Sequence, residues 1–431
     1  METKNLETKI VKLSQIVFDK NIYPRKAHDP TLVQRYAESM ESIETQGKFV
    51  SVSEDMRLLD GRHRFLAYQT LSLDEPDKEI QVFVYPASSD KEAFAIAVEL
   101  NSDFGWQMTP EDKKSSAIRM YQSFGMTQDE IARSLKIGKA KVNQWLQDIL
   151  ESERQEREAR IWDMWLSCHS QQEIVETLDI GKSTISEFLQ ESSIKFSGND
   201  SELFRNFSPE VYTIWNFSKA TNQVRHFGNI PPEIIDNLLY YYTQPFDVVF
   251  DPFGGGGSTI DKCIERKRRY YVSDLTPIPA RSDIRQWDIT QGLPQDLPVP
   301  DLVFLDPPYW KQAEGKYSNK GTDLSNVELE KFLESIGNIA KDIKRKWNSN
   351  RPNGRLAIIV GPFYRAGEYV DLSMLCCQAV GKYLDLVERI QVPYTTQIVG
   401  GDEVNKAKAD KRMIHLIRDL MVFGKRSNDN G

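Results

Sequence analysis

Two apolar runs, each stopping at an aspartate followed by proline, constrain this chain more than any other feature. Asp247-Val248-Val249-Phe250 leads into Asp251-Pro252, and Leu302-Val303-Phe304-Leu305 leads into Asp306-Pro307-Pro308. Short apolar runs bounded in this way read as buried strands. Proline has no N–H to give a sheet, so the chain must leave it there, with the acid at the strand's carboxyl end. In open α/β sheets, that end is where the ligand crevice lies. The expected fold is therefore α/β, Rossmann-like in this half of the chain.

The residues immediately after each acid narrow the chemistry. After Asp251 come Pro252-Phe253-Gly254-Gly255-Gly256-Gly257-Ser258-Thr259, a glycine loop that lets the backbone approach a ligand closely. It lacks the Gly-Lys-Ser/Thr of a phosphate loop and the spacing of a dinucleotide loop, so a nucleoside without a pyrophosphate suits it. Tyr270-Tyr271-Val272-Ser273-Asp274 reads as the next strand, with its acid about twenty residues on, where ribose hydroxyls are held. Asp288 is placed to accept from an adenine amino group. After Asp306, two stiffening prolines and Tyr309-Trp310 put an acid, free carbonyls and aromatic rings in one small space. That combination grips a flat ring bearing an amino group, with Tyr309 stacked on it and Trp310 beside it.

Residues 208–424 resemble an amino-directed DNA methyltransferase that depends on S-adenosylmethionine. Asp251 to Thr259 match its D-P-F-x-G-x-G motif, and Asp306 to Tyr309 match its D-P-P-Y motif. Phe227-Gly228-Asn229, followed by Ile230-Pro231-Pro232, is similar to the segment that closes over the methionine end of the cofactor. The resemblance implies catalysis by Asp306, Pro307, Pro308 and Tyr309. It implies cofactor contacts from Phe227, Gly228, Asn229, Asp251, Pro252, Phe253, Gly255, Gly257, Ser258, Thr259, Asp274 and Asp288. It further implies base flipping, transfer to adenine N6 or cytosine N4 with adenine favoured, and a place in restriction–modification.

The first half of the chain contains a repeat. Thr127 to Leu146 reads as helix, turn and helix, and the pattern returns 43 residues later, with Ile-Gly-Lys in both copies. The turn is expected at Gly138. In such units the opening of the second helix faces the major groove, here Lys139, Lys141, Asn143 and Gln144, then Lys182, Ser183, Thr184 and Ser186. Asp179 and Glu187 weaken the second copy's suitability for phosphate. Upstream, Ile22-Tyr23-Pro24-Arg25 and Gly61-Arg62-His63-Arg64 resemble the ParB/sulfiredoxin-like domain, an α+β fold, which implies CTP as a ligand of Gly61 and Arg64. His63 and Leu66 stand where that family has arginines, which argues against hydrolysis. The alternative is a domain kept for clamping, for placing DNA or for forming a homodimer.

Three segments are thus expected: residues 1–105 (ParB-like), 106–195 (all-α, tandem helix-turn-helix) and 196–431 (methyltransferase), with a linker between 191 and 207. A net charge of −8 opposes indiscriminate coating of double-stranded DNA, the expected partner, so local basic stretches at 341–355 and 406–418 must serve phosphate. Residues 311–326 and 395–411 are left for target recognition. None of the four cysteines follows a proline or has zinc spacing, which sets aside cytosine C5 chemistry and a metal site. No apolar run reaches membrane length and no signal peptide opens the chain, so the cytoplasm is the expected location. A DNA-binding regulatory or partition protein with a non-catalytic methyltransferase fold is the competing reading.

Overall fold

The computed structural model describes residues 7–25, 27–73, 75, 78–103, 108–196, 200–217, 230–308, 310–311, 320–347, 351, 353–365, 367–394 and 399–425. Its contacts divide the chain into two compact units, residues 1–156 and 157–431. In the first, strands β1 (Glu7–Lys12), β2 (Val50–Ser53), β3 (Leu58–Asp60) and β4 (Glu79–Tyr85) form a mixed sheet in the order β1-β4-β2-β3. Helices α1 (Pro30–Glu38), α2 (Met40–Thr45), α3 (Arg62–Leu71) and α4 (Asp90–Asp103) accompany it, making this an α+β arrangement. Helices α5 (Pro110–Gln122) and α6 (Gln128–Leu135) follow, and α7 (Lys139–Leu166) carries the boundary between the units.

The second unit begins with the end of α7, then α8 (Gln171–Leu178), α9 (Lys182–Phe196) and the single turn α10 (Asp200–Leu203). The repeat holds at backbone level. Thr127 and Ser170 each cap a helix reciprocally with the glutamate three residues on, Glu130 and Glu173. Lys136 and Asp179 each end that helix in the left-handed region, at φ 51° and 53°. The turn therefore rests on those two residues and not, as the sequence suggests, on Gly138. Gly138 instead precedes the second helix, its carbonyl accepting from the Lys141 N–H. Ile131, Leu135, Val142 and Leu146 are buried in the first copy, and Ile174, Ile185 and Leu189 in the second.

The remaining elements are α11 (Pro232–Tyr242), β5 (Val248–Asp251), α12 (Ser258–Glu265), β6 (Arg269–Asp274), β7 (Arg285–Gln286), β8 (Leu302–Leu305), α13 (Leu329–Trp347), β9 (Arg355–Val360), β10 (Phe363–Arg365), β11 (Glu368–Val370), α14 (Leu372–Gly381), β12 (Asp385–Pro393), α15 (Gly401–Ala409) and β13 (Ile417–Gly424). Seven strands form one sheet, ordered β12-β13-β9-β8-β5-β6-β7. All are parallel from β7 to β9, and β13 runs antiparallel to both of its neighbours. Counted within the sheet this is 3-2-1-4-5-7-6, a doubly wound, Rossmann-like order with an antiparallel strand inserted near one edge. Alternate residues serve the two faces: Phe250, Val303 and Ile358 pack with α13 and α14, while Val249, Phe304 and Ile359 pack with α11 and α12. The strand order reverses between β5 and β8, which opens a crevice at their carboxyl ends.

The stretch expected as a linker contributes to the core. Phe204 is buried, with the guanidinium groups of Arg266 and Arg268 over its ring at 4.7 and 5.2 Å. Arg268 itself is wholly buried and donates to Thr243 Oγ1 (2.9 Å), the Thr243 carbonyl (2.9 Å) and the Arg266 carbonyl (2.6 Å). At the opposite edge, β12 leaves Leu386 and Val387 exposed among Asp385, Glu388 and Arg389. The matched caps give a direct expectation: Thr127→Ala and Ser170→Ala should each cost about 1 kcal/mol in denaturant unfolding, the first in the amino-terminal unit and the second in the other.

Candidate active site

The glycine loop is built from β5 outward. Asp251 is buried, and its carboxylate accepts from the Phe253 N–H (2.9 Å) and the Thr259 hydroxyl (2.6 Å), tying the loop's two ends together. Gly255 and Gly257 take φ of 48° and 85°, which glycine adopts without steric cost, and Gly257 leads into α12. Gly254 lies so close to β6 that a Cβ there would stand 2.6 Å from Val272 Cγ1 and 3.2 Å from the Ser273 carbonyl. Asp274 holds the loop from the neighbouring strand: Gly255 N donates to one of its oxygens (3.0 Å) and Thr276 N to the other (2.8 Å). Asp288 accepts from Thr290 N (3.0 Å) and Oγ1 (2.6 Å) through one oxygen. Arg281, which sequence reading missed, donates to the Gly256 carbonyl at 3.4 Å while paired with Asp261 and Asp283.

These pieces line one crevice of about 950 Å³, its open mouth included. Asp251, Pro252, Phe253, Gly255, Ser258, Thr259, Asp274, Asp288, Asp306 and Pro308 all face it. Ile230, from the segment expected to close over the cofactor, also lines it, as do Trp287 and residues 322–324, which the sequence does not point to as cofactor contacts. Asp323 is a fifth carboxylate, and no lysine or arginine stands among the described lining residues. Such a wall repels phosphate and favours a cationic, hydroxyl-bearing nucleoside. Phe227, Gly228, Asn229 and Tyr309 lie outside the described residues.

Burial pushes the Asp306 carboxyl up to about 7, with the nearby Arg418 charge pulling it partly back and Asp251 adding to the rise. Asp251 is also pushed up to about 7 by burial, against the bonds from Thr259 and Phe253. Arg418 is a further missed residue, nearly buried at the start of β13, its guanidinium 5.0 Å over the Tyr394 ring. Trp310 is not available for stacking. It is buried, donates from Nε1 to the Val327 carbonyl (2.7 Å) and packs on Phe363, so it belongs to the core.

Elsewhere the expected residues divide. Lys139, Lys141, Asn143 and Gln144 are exposed at the start of α7, with Lys139 paired to Asp129 (2.9 Å) and Lys141 donating to Gln144 (2.9 Å). Lys182, Ser183 and Thr184 are exposed, and Ser186 is half-buried and donates to Gln171. Gly61 sits at φ 90° before α3, and Arg64 folds back over it to pair with Asp60 (2.9 Å) and donate to the Lys48 carbonyl (3.0 Å). A cavity in this unit is lined instead by Lys20, Arg25, Arg62 and Arg119, with no carboxylate among its lining residues. In the basic stretch after residue 341, Trp347 is buried and donates to the Pro300 carbonyl (2.7 Å), just before β8. That stretch therefore lies at the amino ends of the strands, away from the crevice.

The geometry is that of an α/β fold whose two strand-ending acid turns share one crevice beside the glycine loop. Residues 91–277 match the family model of DNA methylases (N6_N4_Mtase), a span that includes the glycine loop and ends before Asp306. The type II methyltransferase M.XycI of Xanthomonas campestris pv. cyanopsidis is 34% identical over 65 residues, 15% of this chain and 22% of that protein. M.Cfr9I of Citrobacter freundii is 35% identical over 78 residues, 18% of this chain and 25% of its own. The chain thus spans about a quarter or less of the curated relatives it matches. Solved structures with some likeness include Caulobacter crescentus ParB on its centromeric parS site (14% identity, TM-score 0.25, 41% of this chain and 82% of that one). Another is the Burkholderia thailandensis 1,6-didemethyltoxoflavin-N1-methyltransferase (18% identity, TM-score 0.27, 45% and 76%). The family model is one of DNA methylases, and both curated relatives are type II methyltransferases. No described helix is long and apolar enough to cross a membrane.

Two measurements check the site. Gly254→Ala should cost about 1–3 kcal/mol in stability through overpacking against β6, and weaken cofactor binding by calorimetry. Because the folded-state pKa values of Asp251 and Asp306 lie above the ordinary value near 3.9, both carboxylates oppose folding once ionised. That cost is absent below about pH 4 and complete above about pH 7. Unliganded protein should therefore lose stability toward pH 7.5 in urea titrations, and Asp306→Asn should flatten the trend.

Proposed function

We propose that this protein transfers a methyl group from S-adenosylmethionine to an exocyclic amino group of a base flipped out of duplex DNA, with adenine N6 as the target and cytosine N4 as the second reading. The observation that carries it is the single crevice holding the glycine loop, Asp274, Asp288 and Asp306, walled by five aspartates and by no described cation. S-adenosylmethionine suits that wall: its sulfonium is cationic, and the ribose hydroxyls are assigned to Asp274 and the adenine amino group to Asp288, both of which line it. When bound, it supplies an electrophilic methyl group. The Asp306 carboxylate and the Pro307 carbonyl accept from the two N–H bonds of the target amine. This withdraws the nitrogen lone pair from the ring and leaves it free to attack. Transfer of the methyl group to that nitrogen would release one of its protons, which Asp306 would accept or pass to solvent, and would leave S-adenosylhomocysteine as the co-product. Tyr309 is assigned the stacking role by the motif, offsetting part of the few kcal/mol that flipping costs. Positioning and electrostatics supply the catalysis.

The first helix-turn-helix copy is assigned the grip on DNA, through Lys139, Lys141, Asn143 and Gln144. CTP, implied by the ParB resemblance, is assigned to the cation-lined cavity of the first unit, and calorimetry with CTP tests it: no heat from Arg62→Ala where wild type binds supports the placement.

Incubation with labelled S-adenosylmethionine and unmethylated duplex, followed by nucleoside mass spectrometry, should give N6-methyladenine. N4-methylcytosine would select the second reading, and no incorporation with cofactor still bound would favour a non-catalytic DNA-binding regulator. Asp306→Ala should lose about 100- to 1,000-fold in turnover while keeping DNA binding. Since the ionised carboxyl is the stronger acceptor and the form able to take the amine's spare proton, kcat/KM should fall about tenfold per pH unit below about 7 and level off above it.

A further inference from the structure

The two helix-turn-helix copies share a backbone and differ in charge. Residues 127–146 carry four bases (Arg133, Lys136, Lys139, Lys141) against two acids, whereas the equivalent 170–189 carry one base, Lys182, against four acids (Glu173, Glu176, Asp179, Glu187). Position by position, Arg133 becomes Glu176, Lys136 becomes Asp179, Lys141 becomes Thr184 and Gln144 becomes Glu187. A surface so changed repels phosphate.

The second copy instead packs on the end of α7, through Ile161 against Ile174, Ile185 and Leu189, and that end of α7 is bound to the sheet. Carbonyls at and just past the end of α7 are taken by arginines of β6 and β7: Arg269 Nε donates to the Trp165 carbonyl (3.1 Å), which also accepts from the Cys168 N–H (3.1 Å), and Arg285 donates to the Ser167 carbonyl (2.9 Å). The Arg269 guanidinium also lies 3.8 Å over the Trp165 ring. Trp162 stacks on Phe246 at 5.6 Å and 16°, with Phe188 and Phe196 of α9 edge-on to it at 5.6 and 6.1 Å. Leu166 and Cys168 are buried in the cores on the two faces of the sheet.

We propose that the second helix-turn-helix pair is a docking piece of the methyltransferase unit, held by Arg269 and Arg285 as positioning residues, and does not hold DNA phosphate. This rests on the reading that the protein acts on duplex DNA. Its test needs no turnover, so it fails separately from that reading. The first arm measures full-chain binding to duplex DNA across salt concentrations. Lys141→Glu should reduce the log–log slope by about 0.9, one phosphate contact, and Lys182→Glu should leave slope and affinity as in wild type. An equal drop for Lys182→Glu, or no salt-dependent binding by wild type, overturns the inference. The second arm measures hydrogen exchange in Arg269→Ala/Arg285→Ala. Amides of 170–189 should exchange at least tenfold faster while those of β5 and β8 stay protected and cofactor still binds. Unchanged exchange in 170–189 overturns the docking role. If the double variant loses the sheet's protection as well, Arg285→Ala alone, at a half-buried edge position, carries the same readout.

Discussion

The pairing of β5 with β6 on one side and β8 on the other is the constraint on which the rest depends. Because both pairings are parallel, three strands deliver their carboxyl ends to the same side, each with an acid at or just beyond its last residue. Connections of this type leave in opposite directions from β5, so a gap opens above it. The glycine loop, the Asp274 bridge to Gly255 and the Asp306 turn all depend on that gap. A slip of one residue in β5 would move Asp251 to the other face and leave Phe253 and Thr259 without their acceptor.

The crevice is expensive to maintain without a ligand. Several carboxylates share one crevice, and burial makes two of them hold protons up to about pH 7. A cationic nucleoside relieves that repulsion, so the same groups that oppose folding of the empty protein favour the loaded one. Arg418 and Arg281 moderate the field from outside the wall, the first near Asp306 and the second behind the glycine loop.

The parts of this architecture written locally in the chain are legible in it. The strand-ending acids, the glycine loop and the 43-residue repeat all show in spacing within about ten residues or in a fixed period. Parts made by distant residues are not legible. Arg269 and Trp165 are 104 residues apart and Arg285 and Ser167 are 118 apart, and neither arginine differs locally from a surface residue. Trp310 misleads because an aromatic after D-P-P-Y has the same sequence signature whether it faces the crevice or the core; the Val327 carbonyl decides it. Arg268 stands in a run of bases, yet it is wholly buried and donates twice to Thr243, in a different loop. Gly138 attracts the turn on paper, but Lys136 makes it, as Asp179 does in the second copy, each ending its helix in the left-handed region without a glycine.

The half-open edge at β12 has its own consequence. Its first residues offer backbone N–H and carbonyl groups to whatever comes alongside, and Leu386 and Val387 would reward a second strand that did so. Asp385, Glu388 and Arg389 break up that apolar surface, and the bridge from Ile214 to Gln391 occupies the far end. A partner strand would have to bury those charges in order to pair. The sheet thus ends where it does through electrostatic exclusion of self-association, and replacing those three residues with apolar ones would make this edge a nucleus for aggregation.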